Sequence, residues 1–446
     1  VPTLNKIGTV LSRSHHIPID PALRRLRLAL TVFFAVDGFL FAGWVVRIPA
    51  IKAQVGASAG QLGLALLGVS AGAVATMLLT GRLCRMFGSE RVTVVTGVML
   101  ALSIALPPRT HSALGLGLVL LLFGISYGGL NVAMNSVAVD LVAALRRPVM
   151  SSFHAAYSLG GLLGSGIGGL LAPHLSPATH LLLLTPVGLV AVALAGRPLL
   201  AHPLRRPERG RRAVVPASAS ASAPAQPRNS SAPAEPRDSS AAAKAPATGT
   251  TAGTAAAPSR AGGTTLLVAV FGLIAACTAY GEGALAEWGP LHIQQDLHGG
   301  PGIAAAGYSA VTLAMTLGRL SGTTLLVRLG QTRALVLGGL TACTGMLVGA
   351  LAPYLPLVMI GFALTGLGLA NLFPTAIARA GELTGPSGVA AASTLGYGGL
   401  LLGPPSIGFL TDAFGLPSAL TTVAALAAVA AVIAYLARNS GARQDG

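Results

Sequence analysis

Residues 33–52 read FFAVDGFLFAGWVVRIPAIK, an apolar run long enough to enter a bilayer that nevertheless carries an acid, Asp37, and closes on Trp44, Arg47 and Pro49. At about 1.5 Å per helical residue, Asp37 lies about 10 Å inside the level of Trp44. An unpaired carboxylate at that depth is costly, so such residues face a protein interior or a wet cavity. Asp37 is a functional candidate for that reason. EGALAEW, residues 282–288, echoes the DGFLFAGW of residues 37–44 with one residue fewer.

The rest of the chain agrees with a membrane setting. Hydrophobic residues make up 53% of the 446, charged residues only 9%, and mean hydropathy is +0.72. A soluble domain carries about 25% charged residues. Apolar runs of about 20 residues fall near 28–48, 60–81, 92–107, 113–138, 149–172, 178–198, 264–288, 302–326, 333–352, 355–379, 387–411 and 416–437. The expected fold is therefore an all-α membrane protein with twelve transmembrane helices in two six-helix bundles, residues 28–202 and 264–438. Residues 203–263 are Ala, Pro, Ser, Thr and Arg with few large apolar side chains, and predict a disordered linker. Residues 1–27 form a lead and 439–446 a tail.

The formal net charge of +16 does not indicate nucleic acid, because the arginines sit in short clusters between spans with few aromatics to stack bases. Arg82, Arg85 and Arg91, Arg146 and Arg147, the cluster from Arg205 to Arg212, Arg328 and Arg333, and Arg379 fall on one set of alternating loops. By the positive-inside rule that side, with both termini and the linker, is cytoplasmic, and the protein is a multi-pass protein of the cell membrane. The basic lead runs into a full span without a small-residue cleavage site, so no cleavable signal is expected. Cys84, Cys277 and Cys343 are odd in number and scattered, which predicts neither a disulfide framework nor a metal site. No nucleophile–base cluster and no phosphate-binding loop string stand in the sequence, so neither an enzyme nor an ATP-driven pump is expected. No cofactor is implied.

The two groups of helices repeat each other at near-constant offsets. Asp37 and Glu282 are 245 apart, Gly81-Arg82-Leu83 and Gly318-Arg319-Leu320 are 237 apart, and Asn131/Asn371 and Tyr157/Tyr397 are each 240 apart. Ordered matches in helices 1/7, 2/8, 4/10 and 5/11 argue for a duplicated unit with a central site between the halves. The layout resembles the major facilitator superfamily. GWVVRIPAIK (43–52), YGGLNVAMNS (127–136), PVMSSFHAAYSLGG (148–161), EGALAEW (282–288) and GLGLANLFPT (366–375) resemble its fucose-permease-like branch and related uncharacterised inner-membrane members. The resemblance implies two bundles that rock about a midplane site and carry a small solute, commonly with protons. In that branch a carboxylate matches the position of Asn131, and the helix 1 acid falls near Val45.

Each motif has a bland and a functional reading. Gly81, Arg82, Gly88 and Arg91 stand where the superfamily carries its helix 2–3 loop signature, with Arg85 in place of its acid. Gly318, Arg319, Gly330 and Arg333 repeat the pattern in what reads as a longer loop. They serve close packing and cytoplasmic anchoring, or gating. Tyr127, Asn131 and Asn135, spaced i, i+4, i+8, share a helix face that can offer donors and acceptors to a solute, with Tyr157, Asn371 and Tyr397 as companions. The alternative for the amides is hydrogen bonding between helices. Asp37 and Glu282 are proton-coupling acids, partners of a basic side chain, or neutral hydrogen-bonded acids. His154 either relays protons or packs. Glu287 reads as interfacial, pairing with Arg47, and Trp44 and Trp288 read as belt residues. GGLLGSGIGG, residues 160–169, resembles the superfamily's antiporter signature with Ser165 at the proline position, and close packing explains it equally. The expected function is proton-coupled secondary transport of a small polar organic solute by a monomer in the lipid bilayer. The rivals are proton antiport of a drug or natural product, and a non-transporting receptor or scaffold.

Overall fold

The computed structural model describes residues 20–145, 149–203, 260–384 and 386–439. Most of the expected linker and tail, and the start of the lead, lie outside them, as do Arg146, Arg147 and the cluster from Arg205 to Arg212. The described residues are almost wholly helical: α1 Pro21–Val45, α2 Ile48–Val55, α3 Ala59–Phe87, α4 Ser89–Ser103, α5 Ala113–Leu145, α6 Met150–Leu171, α7 Pro177–Ala201, α8 Arg260–Gln295, α9 Pro301–Leu329, α10 Gln331–Leu351, α11 Leu355–Leu369, α12 Leu372–Thr384, α13 Pro386–Phe414 and α14 Leu416–Leu436. Every expected span is present, the tenth divided into α11 and α12 at Ala370 and Asn371. Among the described residues, ten stretches are long and apolar enough to cross a membrane by length and composition alone. The two long helices outside that set are α6 and α13, which carry His154, Tyr157, Tyr397 and several serines and glycines, and which lie along the seam between the halves.

Helix ends overshoot the apolar runs because backbone hydrogen bonding continues past the hydrocarbon edge. Helix α1 begins at Pro21, so Arg24, Arg25 and Arg27 of the expected lead are helical, started by Asp20 accepting from the Ala22 amide at 2.8 Å. Helix α8 likewise begins at Arg260, inside the expected linker. The loop signatures are mostly helical too. Arg82 lies in α3, which stops at Gly88, and Arg319 lies ten residues, about 15 Å, inside the end of α9, which stops at Gly330. Gly88 (φ 91°) and Gly330 (φ 77°) hold a backbone conformation disfavoured for L side chains, so these two glycines turn the chain sharply between consecutive spans. Gly81, expected to permit close packing, faces open space apart from the tip of Arg85.

Within the first half α1 packs on α6 and α7, and α3 on α5. In the second, α10 packs on α11 and α14, and α9 on α11. The core is aromatic and aliphatic, and it includes both tryptophans: Trp44 is 1% exposed and Trp288 0%. They are interior residues, not members of an interfacial belt. Large apolar side chains such as Leu114, Leu170, Val327 and Phe414 cover the outside, as a lipid-facing surface requires.

The halves meet along two helix pairs, α3 with α13 and α6 with α9. Most of their hydrogen-bonded contacts gather toward one end, where α3 and α9 begin and α6 and α13 finish; nearer the middle, the Ser70 hydroxyl donates to the Leu400 carbonyl at 3.3 Å. Asp412, near the end of α13, accepts from the Ser58 hydroxyl (2.9 Å), the Ala59 amide (3.0 Å) and the Gly60 amide (2.8 Å) at the start of α3. A carboxylate from one half thus caps a helix of the other. Burial holds the Lys52 ammonium below its ordinary pKa, and the nearby Asp412 charge works against that shift. On the second pair the Ser309 hydroxyl donates to that of Ser165 at 2.7 Å, and Gly169 rests against Ala305.

Candidate functional site

Asp37 is fully buried in α1, and neither carboxyl oxygen has a hydrogen-bond partner. Its neighbour Gly38 lies against the Tyr157 backbone of α6, too close for any side chain, and so draws the two helices together at this level. Tyr127 of α5 and Tyr157 of α6 stand within electrostatic reach of the acid, and their hydroxyls bond each other at 2.9 Å. The Tyr127 ring stacks on Phe41 at 5.1 Å and on Phe123 at 6.3 Å. A flat apolar face thus stands beside a pair of hydroxyls, with the buried Asp37 carboxyl within their electrostatic reach.

The second half contributes a charged wall. Arg319 Nη2 donates to both oxygens of Glu282, at 3.2 and 3.3 Å, with the two side chains 35% and 31% exposed. An ion pair this wet contributes at most about 1 kcal/mol, so it exchanges partners readily. Tyr308 of α9 lies within reach of Glu282, Arg319 and Tyr157, and Tyr397 of α13 within reach of Tyr127. His154 of α6 is exposed, meets Phe34 edge-on at 5.4 Å, and feels the charge of Arg319. Residues of both halves thus converge, with Arg319, Glu282 and His154 the most accessible of them.

The amides behave differently from one another. Asn135 Nδ2 donates to the Asn131 carbonyl at 2.7 Å and to its side-chain oxygen at 3.4 Å, and both residues remain half-buried on α5. Asn371 Nδ2 donates to the Gly318 carbonyl at 2.8 Å, tying the break between α11 and α12 to α9.

The sequence model described as Major Facilitator Superfamily matches residues 28–330 and 271–445. The chain belongs to the major facilitator superfamily. An uncharacterised transporter of the same type from Yersinia pestis is 28% identical over 419 residues, 93% of this chain and 96% of that one. Among solved structures, the nucleoside transporter NupG superposes with a TM-score of 0.65 at 13% identity, covering 92% of this chain and 98% of NupG. A D-xylose–proton symporter gives 0.65 at 12% identity, covering 92% and 97%. As a member of the superfamily the protein is a multi-pass membrane transporter, not an enzyme.

Two expectations about this region need correction. Arg47 does not pair with Glu287: its Nε donates to His180 Nδ1 at 2.8 Å and its Nη1 to the Ala172 carbonyl at 3.3 Å, both within the first half. Glu287 is not interfacial, being 7% exposed with Oε2 unpartnered. The Gly-Arg-Leu match between the halves also hid the role of Arg319, which serves Glu282 inside the bundle and not a cytoplasmic loop. Sequence reasoning missed Tyr308, Ser309 and Asp412. For Asp412 a signal was present: Ser58-x-x-Gln61 is a capping box, marking a helix start to which a further acid can add.

Proposed function

We propose that the protein is a proton-coupled secondary transporter of a small polar organic solute in the bacterial inner membrane, working by alternating access. The observation that carries this is Asp37, an unpartnered carboxyl in the membrane interior beside the Tyr127–Tyr157 hydroxyl pair. Such a group is stable neutral and costly when charged, which suits a residue that binds a proton during one part of a cycle and gives it up in another. Glu282, held by Arg319, reads as the charged counterpart that engages the solute, and His154 as a group by which protons leave toward the open side. Tyr127, Asn131, Asn135, Tyr157 and Tyr397 would supply ring faces and hydrogen bonds, while Asn371 acts mainly through α9. The two fold neighbours named for a nucleoside and for D-xylose with a proton share only the fold, yet both solute types match such a lining. With termini and linker cytoplasmic, the joined end is external and the structure is inward-facing. The linker and the two six-helix bundles are then separate units of one carrier.

The test begins with a thermal-shift screen of sugars, nucleosides and amino acids, since ligands that bind the folded state raise its apparent stability. With the hit in proteoliposomes, Asp37→Asn should abolish accumulation driven by a pH gradient while sparing solute-for-solute exchange and melting temperature. Glu282→Gln should weaken binding about tenfold, the effect of one lost charged contact worth about 1.4 kcal/mol. Gradient-driven accumulation intact in Asp37→Asn would place coupling elsewhere.

A further inference from the structure

Glu287 has no part in the reading above, and its surroundings give it one. It lies five residues beyond Glu282 on α8, about 7.5 Å nearer the joined end. Where Glu282 is wet and paired, Glu287 is 7% exposed and its Oε2 has no partner. It stands within electrostatic reach of Tyr308. Tyr308 precedes Ser309, whose hydroxyl bonds Ser165 across the halves, and Gly302 and Ala305 on the same helix meet Gly169. The acid therefore sits beside the helix pair that closes this end.

We infer that Glu287 is a second proton-binding residue, held as the neutral acid under the closed end and uncovered to water when α6 and α9 part. It rests on the proton-coupled reading. The charged and titratable groups around α8 leave the acid without a counter-ion in this arrangement: Arg319 of α9 bonds Glu282, and His292 bonds Asp296 at 2.7 Å, further along α8. Helix α11 carries no ionisable side chain, α13 offers Tyr397 and Asp412, which caps α3, and α14 offers Tyr435, half-exposed under Arg438. A carboxylate at 287 would be charged with nothing to balance it, and the neutral acid avoids that cost. When α9 swings from α6, Tyr308 and the space beside it open, water reaches Glu287, and the charged form is solvated. Protonation and closure of this end then favour one another.

Dicyclohexylcarbodiimide, an apolar reagent that adds to protonated carboxyls, tests this on the native protein in liposomes at about pH 7, where exposed carboxyls are ionised. Mass spectrometry should find Glu287 and Asp37 labelled and the exposed Glu382 unlabelled. In Gly169→Trp, whose indole cannot fit against Ala305, Glu287 labelling should fall about tenfold as deuterium uptake over residues 302–310 rises. Glu287 labelled no more than Glu382, or labelled undiminished in the opened variant, would overturn the inference. Loss of labelling at Asp37 as well would overturn the proton-coupled reading itself, so the two failures are distinguishable.

Discussion

Replacing Asp412 with alanine removes three hydrogen bonds of 2.8 to 3.0 Å between the halves without touching the solute region. A buried bond to an ionised acceptor is worth about 1.5–3 kcal/mol. Asp412 is exposed, so water competes for each donor and screening discounts the total to about 1–2 kcal/mol, in the range of a lost N-cap. Helix α3 keeps its own cap, because Ser58 Oγ still accepts from the Gln61 amide and Gln61 Oε1 from that of Ser58. The loss therefore falls on the closed arrangement and not on the helix. The ratio of closed to open at this end should drop about 5- to 30-fold. Deuterium uptake at residues 58–62 should rise, and spin labels at His111 and His298, on exposed loops of the two halves, should move apart. Asp412→Asn, which keeps one acceptor oxygen, should fall between. Unchanged uptake and unchanged label distance in Asp412→Ala would refute the idea that this cap holds the halves together.

Three further perturbations bear on the packing, the solute wall and the linker. Gly160→Leu drives a side chain into the Ala35 backbone of α1, and should cost about 1–3 kcal/mol of stability, read as a lower melting temperature. Tyr127→Phe keeps the stacking on Phe41 and removes the 2.9 Å bond to Tyr157, so solute binding should weaken by about 0.5–1.5 kcal/mol while the melting temperature stays near that of the native protein. Deleting residues 216–245, which lie outside the described residues, should leave transport intact, because their composition, mostly Ala, Pro and Ser, offers no large apolar side chains for packing on the bundles. Abolished transport with normal membrane expression would make the segment regulatory.

The spans were legible because about 20 apolar residues in a row have few other uses, and the repeat because Asp37/Glu282 and Tyr157/Tyr397 recur in order. Their ends were not, since hydropathy reports bilayer thickness while the helices that begin near Arg24 and at Arg260 extend beyond the apolar runs. The burial of Asp37 could be read from depth alone. The partner of Glu282 could not, because Arg319 is 37 residues away and its neighbours spell a loop signature. Trp44 and Trp288 misled for a related reason: nearness to a span end in sequence says nothing about which way the side chain faces, and both are buried in the core, Trp44 beside Phe123. Asp412 and Ser58 are bonded across 354 positions, a relation that no local pattern encodes.

The inward turn of those two indoles has a practical use. The chain holds only two tryptophans, one toward the joined end of each bundle and both buried in apolar surroundings. Each bundle thus carries its own intrinsic fluorophore, and Trp44→Phe or Trp288→Phe leaves a single emitter reporting on the other. Because neither ring touches bulk water, a red shift in either spectrum marks water entering that bundle, so the two halves can be watched separately through a working cycle without any attached dye.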